Sequence, residues 1–195
     1  KRGLEYLEVS IETRDKQAEI QAMKYLAKNH DFIKNYYEAE SLYRKTLKIV
    51  REIGDVEGEA EILNSLGGLS HFGDQQKNII FHQEIDALRI IGDKSAILKR
   101  LMDMGSSYAM RYNHETDSPL RHEFYNKAID YFAESHEIIT EINDKKSAVE
   151  LYGHIGMLHT TDMRLDFAFT AYRTVLKISI EIEDLIASRS AYYGL

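Results

Sequence analysis

The sequence predicts an all-α protein built as a stack of antiparallel helix pairs. Three observations lead there. A short segment ending in aspartate recurs along the chain. Apolar residues between its copies fall three or four apart, the spacing of one helix face. One proline, Pro119, stands in 195 residues, and proline is the residue least compatible with a helix interior.

The recurring ending reads REIGD at 51–55, RIIGD at 89–93, TEIND at 140–144 and IEIED at 180–184, with a weaker IETRD at 11–15. Its aspartates, Asp15, Asp55, Asp93, Asp144 and Asp184, are spaced 40, 38, 51 and 40 residues apart. The period is therefore near 40, with one insertion of roughly eleven residues, and self-similarity at such a period marks a repeat array. Chemically the ending is a stop followed by a start. Gly54 or Gly92 can take the left-handed conformation that closes a helix, and Asn143 tolerates it next best. Glu183 does not, so the fourth junction is expected to differ. Each aspartate can then accept from the free N–H groups of the next helix.

Two apolar patterns fill each period. The first follows the aspartate: Met23, Leu26, Ala27; Ala60, Leu63, Leu66, Gly67; Leu98, Leu101, Met104, Gly105; Ala148, Leu151, Ile155, Gly156. Its last member, always small, lies twelve residues after the aspartate, where it would let a second helix come close. The second pattern sets an alanine four residues before an aromatic: Ala39 and Tyr43, Ala128 and Phe132, Ala168 and Tyr172. The second copy has Asn78 and His82 in their place. These patterns predict helix pairs near 16–30/36–53, 56–71/76–91, 94–111/119–142 and 145–160/165–182.

The pairs Leu66-Gly67, Met104-Gly105 and Ile155-Gly156, with the three alanine–aromatic pairs, resemble the tetratricopeptide repeat family across essentially the whole chain. The long period and the Gly-Asp junction are similar to the subgroup found in kinesin light chains, spindle-orientation adaptors and bacterial signalling proteins. The chain departs from the family by its period near 40, by leucine where the family has tryptophan (Leu63, Leu151), and by the Gly-Asp ending in place of the terminal proline. The resemblance implies a TPR-like α-solenoid, a right-handed superhelix of antiparallel helix pairs. It would form a single repeat domain over 1–195, with repeats at 16–55, 56–93, 94–144 and 145–184 and partial repeats at 1–15 and 185–195. Neither end reads as the polar cap that solenoids carry, so a fragment of a longer protein is expected. Self-association through the C-terminal end is expected from Ile186, Ala187, Ala191, Tyr192 and Leu195, whose apolar surface would lack a covering neighbour.

Composition narrows the function. Formal net charge is −7, with the signs interspersed, which disfavours nucleic acid or an anionic membrane as a partner. The chain has no cysteine, hence no thiolate metal site and no thiol nucleophile. No apolar run approaches the ~18 residues of a membrane span, and a cytoplasmic setting is expected. The insertion RYNHETDSPLRHE, 111–123, reads as an exposed polar loop in which Asp117 or Ser118 caps a helix beginning near Pro119. His114, Glu115, Asp117 and His122 within it match no metal-ligand spacing. His154 and His159 are five apart and so on different helix faces. His159 and His82 read as core or half-core residues. The carboxylates of EGEAE, 57–61, suit a helix first turn. No nucleophile elbow is present, and GDKSAILKR, 92–100, lacks the glycine spacing of a phosphate loop. No catalytic, cofactor or metal site is expected, and no enzyme activity.

In the family that the chain resembles, the first helix of each pair lines a concave groove where partners bind. The resemblance therefore points to Lys24 and Lys28 with Gln21; to Asn64 and His71 with Glu61 and Gly68; to Lys99, Met102 and Ser106 with Ala109; and to Met157 and Thr160 with Glu150 and Gly153. Only Lys24 and Asn64 approach the lysine–asparagine pattern of the family's carboxylate clamps. Gly68 and Gly153 leave room, and Met102 and Met157 offer an adaptable apolar floor. The reading that follows is a scaffold binding a protein or peptide in this groove. A second is the sensory or regulatory region of a signalling enzyme, cyclase or kinase, whose catalytic domain lies outside these residues. A third is a structural role in self-association.

Overall fold

The computed structural model describes residues 2–69 and 72–195. The described residues form ten helices and no strand: α1 (Arg2–Glu12), α2 (Lys16–Phe32), α3 (Tyr36–Ile53), α4 (Val56–Gly67), α5 (Asp74–Ile91), α6 (Lys94–His114), α7 (Ser118–Ile142), α8 (Lys145–Thr161), α9 (Leu165–Glu181) and α10 (Leu185–Gly194). They fall into two compact units, Lys1–Asp93 and Lys94–Leu195. In the first, α1 packs on α2, α2 on α3, α3 on α4 and α4 on α5. In the second, the order α6, α7, α8, α9, α10 is repeated as successive contacts, and α8 also meets α6 and α10.

The aspartate junctions behave as their chemistry requires. The side chains of Asp15, Asp55, Asp144 and Asp184 accept from the backbone N–H of Ala18, Gly58, Ser147 and Ala187, which satisfies donors that a helix start leaves free. The residue before each aspartate is left-handed, with φ of 57° at Arg14, 73° at Gly54, 79° at Gly92, 54° at Asn143 and 58° at Glu183. All five aspartate N–H groups donate to the carbonyl five residues back: Ser10, Val50, Leu88, Ile139 and Ser179. The fourth junction is therefore no exception, contrary to expectation. The carbonyl bond and the aspartate cap hold Glu183 in a conformation that costs a non-glycine residue about 1–2 kcal/mol.

The small positions vary in tightness. A Cβ added to Gly105 would sit 2.5 Å from the Phe132 ring, and one added to Gly156 would sit 2.8 Å from Tyr172. Each ring is also touched from the next first helix. His154 stacks on Phe132 at 6.0 Å and 8°, and Gly194 lies so close to Tyr172 that a Cβ there would fall 2.8 Å from the ring. Two helices thus grip one aromatic. At Gly67 the added Cβ would meet only Ile80, at 3.5 Å, an ordinary contact. The reason is a change of phase in α5. The aromatic belonging to this pair is Phe81, 2% exposed, while His82 is exposed and edge-on to it at 5.3 Å. Phe81 is twelve residues before Asp93, as Tyr43, Phe132 and Tyr172 are before theirs. The expected pairing of Asn78 and His82, and a core place for His82, are corrected by one residue.

Two boundaries also move. Helix α4 stops at Gly67, short of the predicted 71, because adjacent Gly67 and Gly68 weaken the helix and the chain instead buries Leu69 and Phe72. The insertion is not a loop. It lengthens α6 to His114 and starts α7 at Ser118, leaving only 115–117 between them. Tyr112 in the insertion and Tyr125 just after it on α7 are buried, while the Asp117 carboxylate accepts from Leu120 N–H at 3.1 Å and Pro119 takes a first-turn place. On α10, Ala191 is buried, Ala187 partly so, and Ile186, Tyr192 and Leu195 are exposed.

Candidate functional site

Side chains of the first helices, α2 and α4 in one unit and α6, α8 and α10 in the other, meet across the spaces between those helices. In the first unit the space is bridged by charge. Lys24 Nζ donates to Glu61 Oε2 at 2.5 Å, and Lys28 Nζ lies 3.9 Å from Glu61 Oε1. The Lys24 side chain is only 13% exposed, so its ammonium belongs to Glu61. Lys28 and Asn64 are exposed. His71 lies outside the described residues.

In the second unit the corresponding spaces are open. Between α6 and α8 a cavity of about 350 Å³ is lined by Lys99, Met102 and Asp103 on one side and Asp144, Ser147 and Glu150 on the other. Asp144 lies below the usual carboxylate range, because its bonds from the Ser147 hydroxyl and N–H outweigh its partial burial. Between α8 and α10 a second cavity of about 380 Å³ is lined by Gly153, His154 and Met157, with Tyr172 and Val175 behind and Ala187 and Ala191 opposite. Here polar groups are few. The cavity exists because its walls are small: Gly153 has nothing within 4 Å of where a Cβ would stand. Glu150 lines both cavities, which makes them neighbours on α8.

The structure thus brings Lys24 and Lys28 together through Glu61, sets Lys99 and Met102 in one cavity, and sets Met157 in the next. Met102 is 6% exposed and forms floor rather than lip, whereas Met157 is 62% exposed. Ser106 and Thr160 line neither cavity. The Thr160 hydroxyl donates to the Gly156 carbonyl at 2.8 Å.

Sequence reasoning missed a polar cluster in the second unit. Tyr112 donates its hydroxyl to Asp162 Oδ1 at 2.5 Å, and Arg121 donates to the Tyr112 oxygen at 2.9 Å. Arg164 donates to the other Asp162 oxygen. Arg121 stacks over the Tyr112 ring at 4.3 Å and Arg164 over the Tyr125 ring at 4.5 Å. Tyr125 Oη is 3.0 Å from His159 Nδ1. Burial would raise the Asp162 carboxyl, but the bonds from Tyr112 and Arg164 and the two guanidinium charges outweigh it and hold it below the usual range. Burial, then the Arg164 charge, push His159 down, which favours the neutral ring that an acceptor Nδ1 needs. The cluster ties the extended ends of α6 and α7 to the α8–α9 turn. Its members are up to 52 residues apart in sequence; the one sequence signal is that the insertion supplies Tyr112 and Arg121.

Among the described residues no group of three or more His, Asp or Glu could hold a metal ion, and no helix is long and apolar enough to cross a membrane. No model of a known protein family matches the chain, and no curated protein matches its sequence.

Proposed function

We propose that the chain is a tetratricopeptide-like interaction scaffold, a right-handed solenoid that binds a segment of a partner protein along the faces of its first helices and carries out no catalysis. The observation that carries this reading is the α8–α10 cavity, open to solvent yet walled by Gly153, Met157, Val175, Ala187 and Ala191. Pockets of a few hundred Å³ that are mostly apolar, with a few polar groups at the edge, are where an anchoring side chain is desolvated. Methionine on the lip adapts to more than one shape. The gripped aromatics and the aspartate register support the repeat assignment.

The test is a displayed library of random peptides panned against the 195-residue chain, with hits measured by calorimetry. Hits should lose binding in Gly153→Leu, which fills the cavity where there is open space, and keep it in Lys45→Glu, at an exposed position on α3. A chain that enriches no peptide, or hits indifferent to Gly153→Leu, would count against the reading.

A further inference from the structure

The two units place the same repeat positions side by side with different side chains, and the difference shows what one open space lacks. Glu61 stands six residues after Asp55, and Glu150 six after Asp144. Lys24 stands nine residues after Asp15, and Met102 nine after Asp93. The position pairs are thus equivalent. In the first unit they are lysine and glutamate, bonded at 2.5 Å. In the second they are Met102 and Glu150, with a cavity of about 350 Å³ between α6 and α8. The carboxylate is retained and its ammonium is missing. Glu150 is 67% exposed, and no lysine or arginine pairs with it among the described residues; the nearest basic group is the His154 ring, with Nε2 at 3.9 Å, an ion pair only when that ring is protonated. Lys99 lines the same space but makes no ion pair with Glu150 among the described residues, and Asp103 is met by Arg100 at 3.5 Å. Asp144 brings the carboxylates of the wall to three, with Asp103 and Glu150. One turn further along α8, the equivalent pair is Gly153 and Ser190, and there the cavity is apolar.

From this juxtaposition we infer that the α6–α8 space receives a lysine or arginine from the partner, doing for Glu150 what Lys24 does for Glu61. A large apolar side chain of the same segment enters the adjoining α8–α10 cavity. The partner is thus a protein segment with a basic residue and a bulky apolar residue a few positions apart. An acidic segment is disfavoured, because it would bring like charge against Glu150 and Asp144, with Lys99 the one lysine in the lining to offset them. This inference rests on the scaffold reading and specifies the chemistry of its ligand.

The probe is a set of synthetic peptides of one design. Each holds a single leucine or tryptophan and places lysine, glutamine or glutamate one to four positions away. Binding to the full chain is followed by fluorescence anisotropy. Lysine peptides should bind roughly tenfold or more tighter than glutamate peptides. Glu150→Lys, at an exposed site that leaves folding intact, should reverse the order. Met102→Lys should fill the space from within and abolish the preference, with circular dichroism confirming the fold. Should that variant fail to fold, Glu150→Lys alone decides. Peptides that bind with no preference for lysine, or a preference untouched by Glu150→Lys, would overturn the inference and leave the scaffold reading standing. If library hits bind but none of the designed peptides does, the inference falls alone. If neither set binds, both fall.

Discussion

The α4–α5 and α6–α7 pairs occupy the same place in the repeat and are built differently. In α4–α5 the small residue, Gly67, faces Ile80 with room to spare, since an added Cβ would lie at an ordinary 3.5 Å from it. The first helix there is 12 residues long, and buried Leu69 and Phe72 continue the core through the linker. In α6–α7 the glycine touches the ring of Phe132, the helices run to 21 and 25 residues, and a polar cluster secures their far ends. The same small residue is thus a steric necessity in one pair and a helix terminator in the other. What a repeat position means is set by the side chain opposite it.

The sharpest way to break the comparison is Gly105→Leu. With the Cβ alone 2.5 Å from Phe132, overpacking should cost about 3 kcal/mol. That corresponds to a fall of roughly 6 °C or more in melting temperature. A melting point equal to wild type would mean that the α6–α7 crossing is not tight. Next is Tyr112→Phe, which removes the hydroxyl between Arg121 and Asp162 and should cost about 1–3 kcal/mol. The sign of its pH dependence follows from Asp162. A carboxyl whose folded pKa is depressed contributes stability that is present above its unfolded pKa of about 3.9, and loses it as pH falls through the lower folded value. Tyr112 is one source of the depression, so urea midpoints of wild type and variant should converge below about pH 4. A constant gap would show that the hydroxyl acts through packing alone. The smallest effect is expected at Gly67→Ala. Alanine is the better helix former by about 1 kcal/mol and meets only an ordinary contact, so the change should be neutral or slightly stabilising. A marked loss would mean that Gly67 is as crowded as Gly105.

Much of this was legible from the aspartates, because a cap and a left-handed stop are local chemistry written in adjacent residues. The helix starts of α2, α3, α4, α6, α8 and α9 fall where the spacing places them. Phase was harder. In the run Ile79-Ile80-Phe81-His82 two adjacent rings, Phe81 and His82, compete for the place of the core aromatic, and the alanine that marks the phase elsewhere is Lys77 here. The helical character of the insertion is hidden in the sequence because its charged residues mask a stripe: Leu101, Gly105, Tyr108 and Tyr112 continue one buried face past the expected end. Among the groove candidates, Lys24 could be placed beside Glu61 only once two helices were in register. The Asp162 cluster joins residues from separate turns, and no local pattern announces it.

The grip on Phe132 and Tyr172 has a kinetic side. A ring held only within its own pair would let each pair open alone. Here Tyr172 is braced by Gly156 and by Gly194, and Phe132 by Gly105 and by His154. Lifting α8 therefore releases a support from both rings at once, while lifting α10 releases one. Amide exchange in the second unit should accordingly be graded, with α8 exchanging only in the largest opening and α10 in the smallest. A single aromatic side chain per pair thus decides how far a local fluctuation spreads before it becomes unfolding.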